Sequence, residues 1–193
     1  ILYRLVGSEM CIRDSIVDAV IGLPSVVTFA LADPNFSSLV QALTAYDYPQ
    51  SFVGLLSIPA GSAPSPFTVF APVNSGFESL LDELAVNSLY DIDEQTLGAV
   101  LSYHVVVSVN QMSNTLSDGM VITTSLAQAN PSIADLTFNV GDNGEGILTD
   151  NNGRTSNIIA VDVQADNGII HAIDTVVLPV SYTHLTLPTT LSV

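Results

Sequence analysis

The chain of 193 residues carries 19 acidic side chains against three basic ones, a single cysteine, no tryptophan and 48% hydrophobic residues. That length suits one domain, and the apolar fraction excludes intrinsic disorder despite a formal net charge of −16. Three basic residues cannot hold nucleic acid or an anionic membrane surface, one cysteine cannot close an internal disulfide, and no Cys/His cluster offers four zinc ligands.

The two ends differ in character from everything between them. Tyr3–Ser15 and Val180–Thr190 resemble the strings produced when sequencing-adapter DNA is translated, so residues 1–15 and 180–193 are set apart as non-native tails, the alternative being an ordinary pair of disordered tails. Charge is absent from Thr175 to Val193, but Pro179, Pro188 and a run of hydroxyl residues make that stretch a poor bilayer helix. Glu9, Arg13 and Asp14 interrupt the apolar opening, which therefore lacks a signal-peptide pattern. Between Ser15 and Pro179 there are 17 acidic residues, one basic residue (Arg154) and no cysteine.

In chain order, Pro24–Ala32 is a short apolar segment stopped by Asp33-Pro34, which starts a fresh helix. Phe36, Leu39, Val40 and Leu43 then share one helical face. Tyr46–Pro66, rich in proline, glycine and serine, reads as an ordered irregular loop. Phe67–Ala71 is a short strand closed by Pro72. Asn74 or Ser75 is expected to cap a second helix, with Ser75 and Glu78 as a capping box and Phe77, Leu80, Leu81 and Leu84 inward. A third helix starts near Asp93, with Leu97, Val100 and Leu101 inward and Glu94 near its positive end.

After Val105 the period shortens. Met120–Thr124, Leu136–Val140, Gly146–Thr149, Asn157–Val163 and Ile169–Leu178 read as strands, with Asp150–Gly153 and Asp166–Gly168 as turns. Helices first and strands second define an α+β domain. Ile16–Pro24 also matches Ala172–Pro179 with one extra residue, which suggests tandem domains with the end of a preceding one at 16–24.

Three blocks carry a resemblance to fasciclin-type (FAS1) domains: Phe67–Phe77, Leu101–Val106 with its Tyr-His pair, and Asn167–Pro179. Their order and spacing agree with that family, and Ala30–Phe36 is similar to its opening. The signature residues are Phe67, Thr68, Phe70, Ala71, Pro72, Asn74, Phe77, Asn167, Gly168, His171, Asp174 and Pro179. Val73 and Ser75 depart from the usual pattern, which would thin the capping network. The resemblance implies a domain at 25–179 in which N-terminal helices pack on a C-terminal β-sandwich or wedge. It further implies a secreted or cell-envelope adhesion module of a bacterium-like organism, binding protein or polysaccharide. The alternative is a small-ligand or lipid-binding module, with a structural spacer in a multidomain surface protein as a third option.

No cofactor and no enzymatic activity are expected. His104 and His171 are the interior histidines. His104 continues the Leu97 face and suits a structural role, while His171 and Asp174 fall on opposite strand faces and cannot pair. No nucleophile elbow is present. Tyr103 and His104 form the candidate interaction segment, since the resemblance brings in integrin contact by the Tyr-His pair of animal members. Folding alone, with both rings packed and hydrogen-bonded, explains them as well. Asp142–Gly146 and Asp150–Gly153 miss the EF-hand pattern and read better as hairpin turns than as calcium loops. Phe29, Phe36, Phe67, Phe70, Phe77 and Leu81 have the spacing of core residues before that of a lipid pocket.

Overall fold

The computed structural model describes residues 23–49, 51–126 and 135–179. The proposed tails at 1–15 and 180–193, and most of the 16–24 segment, lie outside the described residues. Five α-helices are found among the described residues: α1 Val26–Ala32, α2 Ser37–Thr44, α3 Phe52–Leu56, α4 Asn74–Leu84 and α5 Glu94–Tyr103. The strands are β1 Phe67–Pro72, β2 Val105–Val107, β3 Met120–Ile122, β4 Leu136–Val140, β5 Gly146–Thr149, β6 Thr155–Ala165 and β7 Gly168–Ile173. Among the described residues they form one mixed sheet in the order β2-β1-β7-β6-β5-β4-β3, parallel only between β1 and β7. The α+β reading holds.

β1 and β7 lie at the centre of the molecule, buried on both faces along their whole length. On one face, Phe67, Val69, Ala71, Ile170 and Ala172 pack under the helices with Phe36, Leu39, Phe77 and Leu97. On the other, Phe70 and Ile173 meet Ile122, Leu136, Phe138 and Leu148. Those partners come from β3, β4 and β5, on the far side of β6 from β7, so the sheet curls over itself into a wedge. The long strand β6 supplies the bend: its register with β7 shifts twice, and Asp162 adopts φ 56°. Pro72 ends a central strand without wasting a partner. The Phe70 N–H points to His104 O and the Val73 N–H to Ile173 O, so residue 72 faces the side where β2 has already ended.

Several local expectations are corrected. The 46–66 loop contains α3, whose start is capped by Ser51 Oγ accepting from Gly54 N–H at 3.1 Å. The capping box at Ser75 does not form; the helix starts at Asn74 after Val73 with no side-chain cap. Asn74 is engaged elsewhere, accepting from Ser38 N–H at 2.9 Å and donating to Pro34 O at 2.9 Å, which ties α4 to α2. Val105–Val107 is a short strand at the point where the period changes, in addition to the five strands expected after it. β7 ends at Ile173, and Val176, Val177 and Leu178 are buried outside any strand. Val140 is exposed, so the alternation in β4 stops after Asn139.

Candidate functional site

Tyr103 and His104 close α5 and lead directly into β2. Tyr103 is fully buried, and its hydroxyl donates to Asp135 O at 3.2 Å. His104 is 3% exposed; its Nδ1 lies 2.7 Å from Val100 O, and its Nε2 accepts from Val177 N–H at 3.2 Å. A carbonyl only accepts, so Nδ1 carries the proton and the ring is neutral. Burial pushes its pKa down to about 4, against a weaker opposing pull from the Val100 carbonyl. Neither ring reaches solvent in this conformation.

The second-face signature residues converge on a strap that follows β2. Thr68 Oγ1 donates to Val109 O and accepts from Gln111 N–H, each at 2.9 Å. His171 lies fully buried, stacked on Phe70 at 5.5 Å, with Nε2 2.8 Å from Gln111 O. Asp162, at the bend of β6, accepts from Ser113 N–H at 2.8 Å and also from its hydroxyl. Those two bonds hold the Asp162 carboxyl below its ordinary pKa. Asp174 turns away from His171, accepting from the Asn157 N–H at 2.8 Å and the Asn157 side-chain amide at 2.7 Å. Burial pushes the Asp174 carboxyl up, but hydrogen bonds from Asn157, Ser156 and Thr175 outweigh it and leave its pKa lowered.

Asn167 organises the other end of β7. Its Oδ1 accepts from Val26 N–H at 3.0 Å, and its amide donates to Leu56 O and Ile58 O at 2.7 and 2.8 Å. The turn thereby holds the start of α1 and the end of α3 together. Gly168 follows because a Cβ there would lie 2.2 Å from Phe67 O. Phe67 and Phe77 are core, Ala71 and Pro72 complete β1, and Pro179 is buried. The acidic loops are occupied as turns: Asp150 accepts from Asn152, Arg154 and Leu178 N–H groups, and Glu145 accepts from Asn143 N–H. Of the six side chains considered for a lipid pocket, Phe36, Phe67, Phe70 and Phe77 are buried, and Phe29 and Leu81 are partly buried against the helical core.

A cavity of about 540 Å³ lies between α5 and the segment leading into α3, walled by Tyr48, Phe52 and Leu55 and rimmed by Asp93 and Glu94. Tyr48 packs edge-on against Phe52 at 5.0 Å and donates its hydroxyl to Ala42 O at 2.8 Å. Tyr46 anchors the same segment to α5's approach by donating to Ile92 O at 2.6 Å. No motif marks this site in the sequence, where its aromatic and acidic residues stand about forty positions apart.

A profile of the fasciclin domain matches residues 34–179. Protein sll1735 of Synechocystis sp. is 32% identical over 156 residues, covering 81% of this chain and 98% of that protein. Transforming growth factor-beta-induced protein ig-h3 of Sus scrofa is 30% identical over 123 residues, covering 64% of this chain but only 16% of that protein. The solved FAS1 domain pair of the insect cell adhesion molecule Fasciclin I has the same fold, with a TM-score of 0.61 and 20% identity. That match covers 82% of this chain and 52% of the pair. The chain belongs to the fasciclin-domain family.

Proposed function

We infer that the domain is an adhesion-type interaction module of a secreted or cell-surface protein, engaging a protein or polysaccharide partner. Family membership carries this reading, together with fold likeness to an insect cell adhesion molecule. Both interior histidines are engaged within the fold: backbone groups occupy both nitrogens of His104, and Gln111 O occupies Nε2 of His171. Tyr103 and His104 then serve the interaction by tying the end of α5 to Asp135 and to the run after β7, not by touching the partner. Among the described residues, no helix is long and apolar enough to cross a membrane.

The domain proper is 25–179, and 16–24 is the end of a preceding repeat. Its counterpart at 172–179 is a buried element here, with Leu178 N–H held by Asp150 Oδ2 at 3.0 Å. Bead-adhesion and glycan-array assays with the chain test the adhesive role. Saturable adhesion to a protein- or glycan-coated surface is expected. Failure to bind any such surface from low to seawater-like ionic strength would sink it.

A further inference from the structure

The cavity between α5 and the segment leading into α3 has the volume of a small-ligand site. Its wall is aromatic and apolar, and among the described residues its rim carries two carboxylates and no basic group. Asp93 caps α5 through Thr96 but keeps its charge, its pKa held down by the Thr96 hydroxyl. Glu94 is exposed and makes no hydrogen bond or ion pair among the described residues. Burial raises the Tyr48 hydroxyl pKa, with smaller contributions from Tyr46 and Glu94. The helix end contributes roughly half a positive charge, which two carboxylates outweigh. Arg154, the one basic residue between Ser15 and Pro179, is paired with Glu83 and does not line the cavity.

We propose that this cavity binds an alkylammonium group, with its carbon chain against Tyr48 and Phe52 and its charge at Asp93 and Glu94. Aromatic rings attract a cation through their negative faces, more strongly where water is excluded, and the carboxylates add Coulomb attraction. A free amine and the end of a partner's lysine side chain share this chemistry. The inference stands apart from the adhesive reading.

Titration calorimetry of the full chain at constant ionic strength tests it, with n-butylammonium as probe and 1-butanol as its neutral counterpart. Saturable millimolar binding is expected for the cation, about fivefold or more tighter than for the alcohol. Glu94→Gln should weaken the cation about fivefold while leaving the melting temperature in place. Glu78→Gln, on the exposed face of α4, should leave binding unchanged. Tighter binding of the peptide Gly-Lys-Gly than of butylammonium assigns the site to a partner's lysine, and weaker binding assigns it to a free amine. Equal affinity for the alcohol, equal loss in the two glutamate variants, or no saturable heat up to about 50 mM overturns the proposal.

Discussion

His104 is neutral in the fold because its Nε2 must accept from Val177, and a small void lined by Leu39, Leu43, Val69 and Leu101 sits beside its ring. A second proton there would meet an N–H donor in an apolar setting. The unfolded chain takes up that proton near the ordinary value of 6.5, the folded chain only near 4. Stability is therefore complete above about pH 6.5 and falls by about 3 kcal/mol as pH drops to about 4, because only the unfolded state gains the proton. Asp93, Asp162 and Asp174 have lowered pKa values, so their contributions are lost further into acid, through their folded values. Melting curves of the native chain and of His104→Gln, whose amide can donate and accept, separate the two windows. The variant should lack the loss between 6.5 and 4. Tyr103 gives a second test at this scale. Tyr103→Ala should cost about 3–5 kcal/mol by emptying a core site, and Tyr103→Phe about 1 kcal/mol for one hydrogen bond. An alanine variant that keeps its melting temperature yet loses adhesion would make Tyr103 a contact residue.

Among the elements, the β1–β7 pair tolerates least. Gly168→Ala forces a Cβ to 2.2 Å from Phe67 O, where backbone must move, so a loss of about 3 kcal/mol or more is expected. Gly54→Ala in α3 meets only Ser51 at 3.5 Å and should stabilise by about 0.5–1 kcal/mol. Chemical denaturation of both variants checks the contrast. The same elements show what the sequence could convey. Helices α2, α4 and α5 repeat apolar residues at helical spacing, and β4 alternates through Phe138, so periodicity exposes them. α3 escapes because five residues in a proline-rich stretch hold too little pattern, and only its Ser51 cap hints at it. Asn74 is a good cap by type, yet contact with Ser38 and Pro34, distant in sequence, recruits it. The buried run after β7 is apolar like a strand but donates its N–H groups to the His104, Asp150 and Ser156 side chains. Tyr103 and His104 are legible as the Tyr-His pair, and Asn167 as a signature residue. The aromatic–acidic cavity is not, because only tertiary packing brings Tyr48 to Glu94.

At the scale of the whole molecule, 17 carboxylates between Ser15 and Pro179 face one arginine, and that arginine bridges α4 to the β5–β6 turn through Glu83 and Asp150. Such a surface repels itself, and added salt relieves the repulsion as the Debye length shrinks from about 10 Å at 0.1 M to about 3 Å at 1 M. The melting temperature should rise by roughly 2–4 °C for each kcal/mol of repulsion removed between dilute buffer and seawater-like salt. Calorimetric scans across that range check it, and a flat trace would count against it. The path of the chain has a further consequence. It enters beside the start of β7, where Asp166 N–H donates to Pro24 O and Val26 N–H to Asn167 Oδ1, and leaves beyond its end through residues 174–179. A pull applied across the domain therefore runs along β7. Its six paired positions with β1, and those with β6, are loaded lengthwise, so the rungs must shear together instead of peeling one by one. In a tethered array, that geometry would let each domain carry tension as a rivet does.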